Sequence, residues 1–163
     1  MGAPKQAQRL CPHAAPRLPT AAATFPFPPD ASNATVHAVR GPLRYYHYGL
    51  DGVRDHGWGC GYRTVQTMLS WLQPDEPPPD ISTIQRLLKH AQPNAYPGET
   101  GWIGVADAVI ILDVLHRAPM RVRRLASGRE AAALLPELAA HFDAGDAHAI
   151  SQLLLLNVTF FCV

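Results

Sequence analysis

A cysteine between two glycines opens onto an amphipathic run in the stretch DHGWGCGYRTVQTMLSWL, residues 55–72. Val65, Met68, Leu69 and Leu72 recur at i, i+3, i+4 and i+7, which puts them on one face of a helix. The preceding GLDGVRDHGWG is rich in glycine and reads as a loop. The chain must therefore turn sharply out of a loop and start a core helix at or just after Cys60. Any fold for it has to carry a thiol at that junction.

The flanking segments read as a small mixed domain. LRYYHY (43–48) is aromatic and extended in character and is expected to form an edge strand. Ser82-Thr83-Ile84-Gln85 has the form of a capping box, opening a second helix with Ile84, Leu87 and Leu88 inward. A third helix is expected over about 105–117, with Val105, Val109, Leu112 and Leu115 towards the core. MRVRRL (120–125) alternates like a strand. Ser127-Gly128-Arg129-Glu130 is a second capping box before EAAALLPELAAHF, a fourth helix that Pro136 kinks or breaks. Three regions follow: a flexible Pro/Ala-rich arm over 1–40, where prolines oppose regular structure, a domain over 41–142, and an apolar tail over 143–163.

Composition removes several function classes. The chain has 163 residues, 47% of them hydrophobic and 17% charged, with a formal net charge of +1. That suits one soluble domain and gives no basic patch for nucleic acid or for a charged membrane surface. No run reaches the roughly 18 apolar residues that span a bilayer. Cys11, Cys60 and Cys162 are odd in number, far apart and form no CxxC pair, so neither a disulfide framework nor a zinc knuckle is expected. A reducing compartment follows, and the expectation is a cytoplasmic monomer with no cofactor and no metal.

The thiol has the surroundings of a nucleophile. The thiolate is the reactive form of cysteine, and a helix N-terminus favours negative charge. The backbone N–H groups there can also hold a developing oxyanion. Gly59 and Gly61 leave room for a substrate backbone, and Trp58 is placed to wall a cleft.

YYHYGLDGVRDHGWGCGYRTVQTMLSWL (45–72) resembles the ubiquitin-fold-modifier-specific cysteine proteases, the UfSP family. The family has a Tyr-Tyr-His-Tyr run, a short acidic loop, Gly-Trp-Gly-Cys, an Ala or Gly, and Tyr-Arg before a helix. ISTIQRLL, the GWIG of 101–104 and LPELAAHF (135–142) follow in the family's order. The resemblance implies an α+β, papain-like cysteine protease fold. It implies trimming of the modifier's precursor and its removal from conjugates, so that the partner is the ubiquitin-fold modifier. It implies that Cys60 is the nucleophile and that Tyr48 helps to form the oxyanion hole. Trp102 and Gly104 match a family motif and read as packing residues.

The resemblance also marks a gap. The family's base and orienting acid stand late, in an Asp-Pro-His-Tyr box, after a segment that builds the central sheet. Neither occurs here, so the fold is expected to be incomplete, as in a shortened or altered form after residue 142. A cysteine protease needs a base within about 3 Å of the thiol and a group to orient that base. Asp146 and His148 have D-x-H spacing but flanks unlike a strand, and His56 stands on the glycine loop as a solvated residue. Two readings stand: a thiol peptidase acting through Cys60 with Tyr48, or a catalytically inactive form that at most binds the modifier.

Overall fold

The apolar pattern after Cys60 is helical in the computed structural model, which describes residues 17–18, 35, 37, 41–117, 120, 122–123 and 128–144. Two short strands, β1 (Arg17–Leu18) and β2 (Leu43–Arg44), precede four helices: α1 (Cys60–Leu72), α2 (Ile81–Ala91), α3 (Val105–His116) and α4 (Gly128–Asp143). Among the described residues the sheet is one antiparallel pair, with Arg17 opposite Arg44 and Leu18 opposite Leu43. The arm expected to lack regular structure thus contributes a strand.

The predicted edge strand over 43–48 pairs only at its first two residues. Its backbone turns instead to α1: Arg44 N–H donates to the Ser70 hydroxyl at 3.0 Å and Tyr46 N–H to the Thr67 hydroxyl at 3.1 Å. Two side-chain oxygens on one helix face replace a neighbouring strand as acceptors, which satisfies these donors without sheet geometry. The alternation survives: Tyr46 is buried, while Tyr45 and His47 face outward.

Helix α1 is the centre of the core. Its Tyr62, Val65, Met68 and Leu69 pack with Ile81, Ile84 and Leu88 of α2, with Ala108, Ile111 and Leu112 of α3, and with Ile103 from the preceding loop. The cap of α2 lies earlier than the Ser82 box suggested. Asp80, in extended conformation after Pro79, accepts from Thr83 N–H at 2.7 Å, and Ser82 donates to the same carboxylate at 3.0 Å. An aspartate caps as well as a serine, and here it stands where the prolines stop. In α3 the buried line is Ala108, Ile111 and Leu112, while Val105, Val109 and Leu115 are half-buried. This helix is apolar on most of its circumference, so the spacing alone did not single out the inward face. At its start Asp107 accepts from Gly104 N–H at 2.7 Å.

Beyond α3, Met120, Val122 and Arg123 are in no strand, and Val122 is 50% exposed. None of these three described residues of MRVRRL pairs with a strand, and Arg123 pairs with Glu137 of α4 at 3.3 Å. Helix α4 begins at Gly128 and runs through Pro136 without ending. Phe142 is its buried anchor, and Asp143 pairs with His37 at 2.9 Å. Ser127, Cys11, Cys162 and most of the expected apolar tail lie outside the described residues. Among the described residues no helix is long and apolar enough to cross a membrane.

Burial separates the two ends of this arrangement. Leu88→Ala should lower the unfolding free energy by about 2–5 kcal/mol, the usual cost of a core leucine. Leu135→Ala, at a position 61% exposed, should change it by no more than about 0.5 kcal/mol. Urea denaturation of the two variants checks this, and equal effects would contradict the placement of the core on α1–α3.

Candidate active site

Cys60 is the first residue of α1 and is half-buried. The cap residue, Gly59, has no side chain to occupy the first-turn N–H groups, which point out of the helix end at which Cys60 stands. Both neighbouring glycines are required by close packing. A Cβ at Gly59 would lie 2.6 Å from the Asp55 Cβ, and one at Gly61 would lie 2.6 Å from Ile103 Cγ1 and 2.9 Å from the Ile103 carbonyl oxygen. The sequence reading gave these glycines to substrate access; the structure gives them to the fit of the loop and of GWIG against the helix start.

The loop before Cys60 is held by buried charge. Arg63, one turn into α1, places two guanidinium nitrogens on Asp51 at 2.6 and 3.0 Å and its Nε on Asp55 at 2.6 Å. The side chains of Arg63, Asp51 and Asp55 are 4%, 2% and 0% exposed. Asp55 also accepts from Gly49 N–H at 2.8 Å. Gln66 accepts from Arg63 at 3.1 Å and donates to the Pro79 carbonyl at 2.9 Å, so the chain of bonds continues to the start of α2. Among the described residues no buried side-chain nitrogen or oxygen lacks a partner. Burial works against ionisation of Asp51, but the hydrogen bonds and charge of Arg63 outweigh it and hold the carboxyl below its ordinary 3.8. Burial likewise works against the charge on Arg63, and the two carboxylates reverse that and raise it.

This clamp sets Tyr48 and Cys60 at the two ends of one tied loop. The Asp55 carboxylate touches Gly49, next to Tyr48, and Arg63, one turn from Cys60. Tyr48 is half-buried; its ring meets the edge of His47 at 5.1 Å between centroids and stacks on His56 at 5.3 Å and 26°. Tyr45, at 45% exposure, extends the same row of rings through His47. Trp58 is half-buried, edge-on to Tyr62, and its indole N–H donates to the Arg54 carbonyl at 3.2 Å. Tyr62 beneath it is fully buried, and burial pushes its phenol up to about 12.

Trp102 is not the packing residue expected. It is 56% exposed, because Ile103, pressed against Gly61, takes the inward place in GWIG. Asp146 and His148 lie outside the described residues. Sequence reasoning missed Asp51, Asp55, Arg63 and Gln66. The available signal was slight: Arg63 falls on the polar side of α1 with Gln66, Thr67 and Ser70, a few residues after two aspartates in a glycine loop. Among the described residues no three or more His, Cys, Asp and Glu side chains form a group that could hold a metal ion.

The model for peptidase family C78 matches residues 34–157, most of the chain. The chain belongs to peptidase family C78. The match begins before Leu43 and runs past Phe142, the limits of the quoted motifs. A probable Ufm1-specific protease 1 of Drosophila melanogaster is 36% identical over 114 residues, which are 64% of this chain and 47% of the fly protein. A Ufm1-specific protease 2 of Gallus gallus is 35% identical over 120 residues, covering 70% of this chain and 26% of that protein. The crystal structure of UfSP from Caenorhabditis elegans matches with a TM-score of 0.56 at 33% identity, over 69% of this chain and 22% of that one. The chain therefore spans less than half the length of these relatives. Its fold is α+β and papain-like, in the incomplete form that the sequence implied.

The clamp predicts a large stability effect. Arg63→Ala leaves two buried carboxylates without their cation and should cost about 3–5 kcal/mol. Arg63→Lys should recover only part of this, since one ammonium cannot reproduce the fork. Because the folded state binds a proton at Asp51 less readily than the unfolded chain, its stabilisation is present above about pH 3.8 and lost as pH falls through and below that value. Denaturation followed from neutral to acid pH should show that loss, and Asp51→Asn should be weaker at neutral pH with a shallower decline.

Proposed function

We propose that the chain is a thiol-dependent protease of the ubiquitin-fold modifier Ufm1, working in the cytoplasm, with Cys60 as nucleophile and Tyr48 as oxyanion donor. The observation that carries this is the tied loop: a thiol at an uncapped helix start, and a phenol at the far end of the same loop, both fixed through Asp55. The names of the relatives support the substrate. In this reading the Cys60 thiolate adds to the carbonyl carbon at the modifier's C-terminal glycine. The oxyanion accepts from the Tyr48 hydroxyl and from first-turn N–H groups of α1. Collapse expels the amine as a thioester forms, and water then releases the modifier and restores the thiol. Asp146 and His148 are the pair with the spacing to take and return the proton.

A second reading has one observation in its favour: the sequence contains no Asp-Pro-His-Tyr box. A chain with the nucleophile and oxyanion parts but no base would capture the modifier without turning it over.

One preparation separates the two. The modifier carrying a C-terminal vinyl ester should form an adduct on Cys60, absent in Cys60→Ser. A C-terminally extended precursor should be cleaved, not cleaved by Cys60→Ser, and cleaved about 10²- to 10³-fold more slowly by Tyr48→Phe, the usual cost of one oxyanion donor. Adduct without cleavage selects the binding reading. Cleavage undiminished in Cys60→Ser rules out the thiol mechanism.

A further inference from the structure

The catalytic reading gives His56 no part, yet its place is built. Asp55-His56-Gly57-Trp58 is a tight turn closed by Trp58 N–H donating to the Asp55 carbonyl at 3.2 Å. Gly57 stands third in it at φ +88°, a backbone that favours glycine and lets the turn present His56 outward. The Asp55 side chain meanwhile points inward, to Arg63 and to Gly49 N–H. The hydrogen bond to Gly49 fixes the residue after Tyr48 against the residue before His56. Two neighbouring backbone points are thereby joined, and their rings stack at 5.3 Å with an interplanar angle of 26°. Gly49, at φ +69°, adds to the fit: a Cβ there would already be in contact with His56 Cε1, at 3.6 Å. The Tyr48 ring also stands nearly at right angles to that of His47, at 5.1 Å between centroids. A half-buried tyrosine is thus in contact with two exposed rings, of which His56 belongs to the loop that leads to Cys60.

We infer that His56 is a positioning residue for Tyr48: its ring, stacked on the phenol and anchored through Asp55, fixes where the Tyr48 hydroxyl points. The inference rests on the assignment of Tyr48 as oxyanion donor. It assigns to His56 the flat face of its ring and gives its nitrogens no part in proton transfer. A residue with this role acts on the transition state, so its loss lowers kcat and leaves KM unchanged.

The test uses the full chain and the C-terminally extended modifier. His56→Ala should lower kcat about 2- to 10-fold, the rate equivalent of one stacked aromatic pair, with KM unchanged. His56→Phe, which restores a flat ring without nitrogens, should return kcat to near the parent value. In a Tyr48→Phe background, with no hydroxyl to aim, His56→Ala should have no further effect. A His56→Phe variant as slow as His56→Ala, or the same loss in the Tyr48→Phe background, would overturn the inference. The ring-proton shifts of Tyr48 in NMR provide a readout that needs no turnover. They should move downfield in His56→Ala as ring-current shielding is lost, and return towards the parent in His56→Phe; unmoved shifts overturn the holding of Tyr48. A parent chain that does not cleave would remove the catalytic reading and leave the stack to be decided by these shifts alone.

Discussion

The buried Arg63 ion cluster is the interaction on which the rest of the site depends. Two carboxylates and a guanidinium, all nearly inaccessible, lie between a loop with little apolar content and the first turn of the central helix. Removing such charges from water is expensive, and the attraction offsets the cost only when geometry and hydrogen bonding are complete. Here they are: Arg63 is engaged by Asp51, Asp55 and Gln66, and Asp55 is engaged in turn by Gly49. The loop's apolar side chains, Leu50, Val53 and Trp58, are only partly buried, and the buried charges hold it in the conformation that satisfies them. The stability of the domain and the geometry of the helix start are therefore coupled through one side chain.

Close packing completes what charge begins. Gly59 admits Asp55 against the helix start, and Gly61 admits Ile103. The second contact brings GWIG onto α1 one residue after Cys60, and Gly104 then caps α3 through Asp107. The loop, the helix start and the distant GWIG thus meet around the thiol at positions where a side chain would push them apart. Trp102 is turned outward by the same fit, which places an exposed indole on the loop that packs beside the start of α1.

The legible and illegible parts of this fold divide by the range of the forces involved. Helix α1 was plain because Val65, Met68 and Leu69 repeat at the helical period and every one is buried. The position of Cys60 at its start followed from the glycines before it. The start of α2 was misplaced because Ser82 and Asp80 are both competent caps, and the choice lay with the prolines that precede Asp80. The strand at 43–48 failed after Arg44 because its partners are hydroxyls on α1, a pairing with no sequence period. In MRVRRL the alternation is real, but its described residues Met120, Val122 and Arg123 are in no strand, and Arg123 pairs with Glu137. Within the site, Cys60 and Tyr48 were named through a family resemblance, whereas the clamp between them was not read at all. An arginine and two aspartates in a polar loop look like solvated charge until the fold buries them.

The supports of Cys60 and Tyr48 share a further property. Asp51, Asp55, Arg63, Gln66 and Ile103 all lie between Tyr48 and Gly104, and each bond between them closes within that span or at Pro79. Among the described residues, these ties around Cys60 and Tyr48 thus close before α3 begins. The proposed proton-transfer pair, Asp146 and His148, follows α4 in sequence. Among the described residues, helix α4 meets the remainder at Phe142 and at ion pairs to His37 and Arg123 that are more exposed than the buried cluster. The described part of the site is therefore held by the buried cluster around Arg63 rather than by α4.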